Sequence, residues 1–170
     1  MTELMSLASL SKPLDVDQLT TEPEMVHLEV SRDDRAVLAE QLNVLSLDAF
    51  SGKLSATKHG DLVRVDGALE AQLGRTCVVS LEPMQETIDE TFTAEFTTIL
   101  PESPAADEIE ADLDAPEPLK GSTINLGDVL FEQLVLAMNP HPRKEGAVAP
   151  QDPGAGQESS PFDVLKALKN

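Results

Sequence analysis

The sequence predicts an α+β domain: a long antiparallel sheet, with barrel-like closure as an option, carrying two or three packed helices. Three observations lead there. Val63, Val65, Gly67, Leu69, Ala71 and Leu73 alternate with Arg64, Asp66, Glu70 and Gln72, the period of a half-buried strand. Ile88, Phe92, Ala94 and Phe96 alternate in the same way with Asp89, Thr91, Thr93, Glu95 and Thr97, and Thr-rich faces suit strands. Two segments instead carry a helical stripe with a capping residue in front of it, one after Ser31 and one after Asn125.

The remaining elements fall between these. Lys12–Val16 and Met25–Val30 read as short strands, the second with Val26, Leu28 and Val30 on one face. Ser31 with Asp34 three residues on resembles a capping box with the shorter carboxylate, and Leu38, Leu42 and Leu45 continue as one stripe, so a helix is predicted over 32–44. From Leu45 the period changes to two, with interruptions near Gly52–Lys58. His59-Gly60-Asp61 turns the chain, pairing Lys53–Lys58 with Leu62–Leu73 as an antiparallel hairpin. Pro83 belongs at a strand start, an edge or a bulge because it cannot donate to a ladder. The second helix is predicted over 126–138, with Leu126, Val129, Leu130, Leu134, Ala137 and Met138 inward, and Asn139-Pro140 stops it. A last short helix would follow Ser160 and Pro161 with Phe162, Leu165 and Leu168 on one side, docked on its own domain or on a partner.

Composition sets the domain organisation. Residues 1–11 read as a flexible arm and 12–145 as a single domain. Within it, 101–118 holds four prolines, seven acidic residues and no basic ones, the make-up of a mobile acidic loop. Residues 146–160 read as a Gly, Pro, Ala and Gln linker to the helix at 161–170. No stretch approaches the apolar length of a membrane span, and neither a basic leader nor paired cysteines accompany the single Cys77, so a reducing, cytoplasmic setting with no membrane partner is expected.

The balance of 31 acidic against 12 basic residues, a net charge of -19, opposes binding to a phosphate backbone and favours a basic partner. The chain has no Trp and no Tyr on which bases could stack. No P-loop, dinucleotide glycine fingerprint, Gly-x-Ser-x-Gly elbow or His-Glu-x-x-His helix is present, so neither an enzyme, a cofactor nor a small-molecule substrate is expected. Cys77 beside Val78 and Val79 reads as a small buried hydrophobe. Glu132, on a helix apolar over much of its surface, reads as a half-buried structural carboxylate that holds this helix to the sheet through Arg75, Arg64 or a backbone amide. Pro140-His141-Pro142-Arg143-Lys144 makes a small basic spot that either complements the helix C-terminus or meets a partner.

Four blocks in order resemble one family: Lys12–Val16; Arg75-Thr76-Cys77-Val78-Val79-Ser80-Leu81-Glu82-Pro83-Met84; Ile124–Lys144; and Pro161–Leu168. Together they resemble the bacterial YceD family, the large ribosomal RNA subunit accumulation proteins. The resemblance implies a non-enzymatic role in ribosome biogenesis, with a basic large-subunit ribosomal protein or a pre-ribosomal particle as partner. Direct binding to precursor rRNA, or a generic acidic interaction module, stand as alternatives. Many relatives carry Cys-x-x-Cys where this chain has Cys77-Val78-Val79-Ser80, so a metal held by such cysteines would be lost here. The residues that the resemblance then leaves for structure or partner binding are Arg75, Cys77, Leu81, Glu82, Pro83, Glu132, Pro140, Pro142, Arg143 and Lys144.

Overall fold

The computed structural model describes residues 7–99 and 115–149. Its frame is an open five-stranded sheet in the order β2-β3-β4-β5-β6, built from β2 (Glu24–Glu29), β3 (Ser46–His59), β4 (Leu62–Thr76), β5 (Pro83–Thr97) and β6 (Glu117–Pro118). Pairing is antiparallel up to β5, and β6 adds parallel to Phe96–Thr97, so the sheet is mixed. A second, two-stranded sheet joins β1 (Pro13–Asp15) to β7 (Thr123–Asn125). Helix α1 spans Arg32–Gln41 and α2 spans Leu126–Ala137.

The alternations read from the sequence set the faces. Val63, Val65, Leu69, Ala71 and Leu73 of β4, Phe50, Leu54 and Ala56 of β3, and Ile88 and Phe96 of β5 are buried on one side. The helices lie over that side. A Cβ at Gly52 would overlap the Leu130 side chain, so the glycine lets α2 settle directly onto β3. The hairpin is longer and more regular than expected: β3 and β4 stay paired from Ser46↔Gly74 to His59↔Leu62, with one bulge between Leu47 and Ala49.

Four expectations need correction. The sheet is not barrel-like, because β2 and β6 do not meet and the inner face is covered by helices and the N-terminal segment instead of a closing strand. The expected arm is packed from Leu7 onward: Leu7 and Leu10 are core residues, and the Leu10 carbonyl lies where a Cβ on Gly127 would be. The acidic stretch is structured at its end, where Glu117–Pro118 pairs with β5 and Leu119 is buried, while 100–114 lie outside the described residues. Helix α1 stops three residues early: Asn43 takes φ 52°, its N–H meets Glu40 O at 3.1 Å, and Val44 N–H reaches Ala39 O at 3.0 Å. This is the left-handed helix end described for Schellman motifs, and it turns Leu45 outward. The third helix, at 161–170, and most of the linker also lie outside the described residues.

Both caps form. Ser31 Oγ accepts the Asp34 N–H at 3.2 Å, and Asn125 Oδ1 accepts from Gly127 N at 3.2 Å and Lys12 N at 2.9 Å. The Asp34 carboxylate does not take the Ser31 N–H, which donates to Ser9 Oγ at 3.2 Å. It takes the Ser9 N–H and hydroxyl instead, and these bonds hold its pKa below the usual carboxylate range.

Candidate functional site

The turn from β4 to β5 collects most of the residues that the sequence singles out. Cys77 N–H donates to Glu82 O at 2.9 Å and Leu81 N–H to Cys77 O at 3.0 Å, closing a tight loop over Cys77–Glu82. Leu81 adopts φ 61°, unusual for a residue with a branched side chain, and is 68% exposed. Val78, beside it, is 49% exposed, so the loop shows two apolar side chains to solvent.

Cys77 itself is buried, and its sulfur organises the loop. Sγ accepts the backbone N–H groups of Val79, Ser80 and Lys144, each at 3.4 Å. The Ser80 hydroxyl lies beside the sulfur although its oxygen meets no partner at strict hydrogen-bond geometry. Ser80 Oγ and then the Ser80, Lys144 and Val79 amides favour the thiolate, burial opposes it, and the thiol is drawn down to about 6. Cys77 is therefore more than the inert packed hydrophobe its neighbours suggest: it ties the loop to the segment following α2.

That segment is bolted on at further points. Val78 N–H donates to Pro142 O at 2.9 Å, and Pro142 is buried. Arg75 Nη1 donates to Glu86 Oε2 at 2.6 Å and to Asn139 O at 2.8 Å, while Glu86 Oε1 accepts the Asn139 N–H at 2.8 Å. The Arg75 and Glu86 side chains are 14% and 13% exposed, so this clamp is largely shielded from water. Lys144 Nζ pairs with Glu82 Oε2 at 2.9 Å in the open, where the bond and the ammonium charge lower the Glu82 pKa. Pro83 opens β5, as its missing N–H requires, and Pro140 and Arg143 are exposed.

Glu132 is not part of this constellation. It is exposed, with no hydrogen bond or ion pair among the described residues. The buried stripe of α2 is Leu126, Val129, Leu130 and Leu134. Six residues on from Leu126, Glu132 lies about 240° round a helix of 3.6 residues per turn, facing away from that stripe. The partner expected for it, Arg75, is taken by Glu86. Glu86 and Asn139 were not singled out by the sequence reading. The signal for Glu86 was the register: Leu73 pairs with Glu86, which places the glutamate diagonal to Arg75 across the ladder.

Among the described residues no group of three or more His, Cys, Asp or Glu side chains is placed to hold a metal. The loop does not fit one either, since the sulfur is engaged by three amides and Ser80 stands at the second position of the Cys-x-x-Cys pattern. Residues 65–169 match the family model of the large ribosomal RNA subunit accumulation protein YceD. The chain belongs to the YceD family. The match takes in most of β4, the Cys77 loop, β5, α2 and the Pro140–Lys144 segment, the parts that build the site, and continues through Lys169. No curated protein and no solved structure matches. No helix among the described residues is long and apolar enough to cross a membrane.

Proposed function

We propose that this chain supports accumulation of large-subunit rRNA as a non-catalytic, cytoplasmic assembly factor whose direct contact is a basic large-subunit ribosomal protein, free or in a pre-ribosomal particle. Family membership supports the ribosomal setting. The observation that carries the protein contact is the placement of the cations. Lys58 is held by Asp17 at 3.6 Å, Arg64 by Asp66 and Glu95, Arg75 by Glu86, and Lys144 by Glu82. Arg64 lies near the hairpin tip and Lys144 at the other end of β4, and twelve residues of strand span about 40 Å. An RNA surface needs unpaired Lys and Arg gathered on one face. This fold distributes them along the sheet, and four of the ten among the described residues, those at both ends of β4 included, are paired with its own carboxylates.

The solvent face of the sheet has the opposite character. Glu29↔Ser51, Ser51↔Glu70 and Glu70↔Asp89 form one cross-strand row, with all three acids exposed and Glu70 directly opposite Asp89. Like charges facing each other across a ladder destabilise it, and a cationic partner relieves the repulsion. Such a surface also speeds encounter with that partner and makes the association salt-sensitive. Titration of the purified protein at ~0.15 M salt against basic large-subunit proteins and against precursor rRNA tests the reading. Binding to a protein, weakened by raised salt and by Glu29→Gln, Glu70→Gln, Asp89→Asn together, supports it. Micromolar or tighter binding to rRNA with none to the proteins would sink it and leave Lys12, Arg32, Arg35, Lys53, Lys120 and Arg143 as the contacts to test.

A further inference from the structure

Two surface depressions meet at Leu45, which is 58% exposed yet fixed at the sheet end by its N–H bond to Gly74 O at 2.8 Å. One, about 420 Å³, lies between α1 and the start of β3, with Ala39 and Val44 in its wall beside two cations, Arg32 and Arg35, and two anions, Glu40 and Asp48. The other, about 340 Å³, runs from Leu45 to Val78, Pro140 and Pro142. They share Val44 and Leu45 and make one groove of mixed lining, in which the exposed apolar side chains of Leu45 and Val78 stand among polar groups, of the size that takes large side chains. The groove lies against the Cys77 loop, and the chain leaves the described structure beside it: Ala147 N–H donates to Lys144 O at 3.1 Å, and Ala149 is the last described residue.

We infer that this groove is the docking site of the chain's own C-terminal segment, Pro161–Lys169, which would place Phe162, Leu165 and Leu168 on Leu45, Val78 and the two prolines. Two features point to this occupant. The segment carries one apolar stripe at helical spacing, the form that enters an apolar groove. From Ala149 to Phe162 the chain can span at most about 45 Å, enough to reach any part of the groove, and a tether of that length holds the segment at about millimolar effective concentration. The family match also runs unbroken from the groove-forming residues through Lys169. Any partner that uses the Leu45 groove would then compete with the chain's own tail.

The test uses the full-length chain, with no ribosomal component present, so its result is independent of the partner reading above. Amide resonances of Leu45, Ser46 and Val78 are compared between the parent and Leu165→Asp, and amide exchange over residues 163–168 between the parent and Leu45→Asp. Leu45 is exposed, so Leu45→Asp should fold, which retained protection in β3–β5 would verify. The expected result is that Leu165→Asp moves the three groove resonances and that Leu45→Asp speeds exchange in the tail by about tenfold or more. Unmoved groove resonances would overturn the inference, as would tail protection that survives Leu45→Asp. Shifts that grow with protein concentration would assign the groove to a second copy, and would overturn it too.

Discussion

Removing the Glu86 carboxylate by Glu86→Ala should destabilise the protein more than any exposed ion pair does. Glu86 accepts from Arg75 Nη1 at 2.6 Å and from Asn139 N–H at 2.8 Å, and its side chain is 13% exposed. Hydrogen bonds to charged groups contribute about 1.5–3 kcal/mol each when broken singly. The loss does not double, because Arg75 keeps Asn139 O at 2.8 Å. Nor does it reach the ~3–5 kcal/mol of a fully buried pair, because some water reaches both side chains. An expected cost of about 2–3 kcal/mol follows, which lowers the melting temperature of a domain this size by roughly 5–10 °C. Urea unfolding of the parent, Glu86→Ala, Arg75→Met and the double variant measures it, with the double variant costing little more than either single one. A Glu86→Ala protein within about 0.5 kcal/mol of the parent, or two single effects that simply add, would refute the clamp; Lys144→Ala, breaking the exposed pair with Glu82, should itself fall in that small range.

Cys77 gives a second prediction. A thiol at about 6 in the folded state and near 9 when free means that the unfolded chain holds the extra proton between those values. The thiolate's stabilisation is then complete above pH 9 and lost as pH falls through about 6, so urea midpoints should rise from pH 6 to pH 9 in the parent and lose that slope in Cys77→Ala. The same substitution strips the acceptor from three amides and should cost about 2–3 kcal/mol at pH 8 by chemical unfolding. Leu81→Gly removes a branched side chain from a left-handed position at an exposed site and should leave stability unchanged or raise it by up to about 1 kcal/mol; a clear loss of melting temperature would show that the leucine side chain holds the loop. Gly127→Ala would place a Cβ 1.6 Å from the Leu10 carbonyl oxygen, a backbone clash that no rotamer relieves, and should cost about 3 kcal/mol or more in the same assay.

Features set by local pattern were legible in the sequence. The two-residue period of Val63–Leu73 gave the inner face of β4 residue by residue, and Ser31 and Asn125 were readable as caps because a cap needs only the next three residues. Features set by distant partners were not. Leu7 and Leu10 sit in no periodic run, and the Leu10 backbone packs on Gly127, more than a hundred residues away. Glu132 drew notice as an acid on an apolar helix, yet Val135 and Leu136 on that helix are exposed too, so the apolar content overstated how much of α2 is covered. Cys77 and Lys144 were both singled out, but the amide bond from one to the other's sulfur is a backbone contact that side-chain chemistry cannot announce.

The pairing of β1 with β7 also sets a timetable for the newly made chain. Lys12 donates its N–H to Asn125 Oδ1 across a separation of 113 residues, and Leu126 N–H returns to Lys12 O at 3.0 Å. The meander of β3, β4 and β5 can form from neighbouring hairpins as it emerges, and Ser9 can already bond Asp34 of α1, whereas the contact of the Leu10 backbone with Gly127 waits until α2 has been made. At about 5–20 residues per second, Leu7 and Leu10 wait roughly 6–23 s for their partners. During that interval the part of the sheet that α1 does not reach, around Gly52 where Leu130 will settle, stands uncovered, and the chain reaches its finished state only as its last quarter leaves the ribosome.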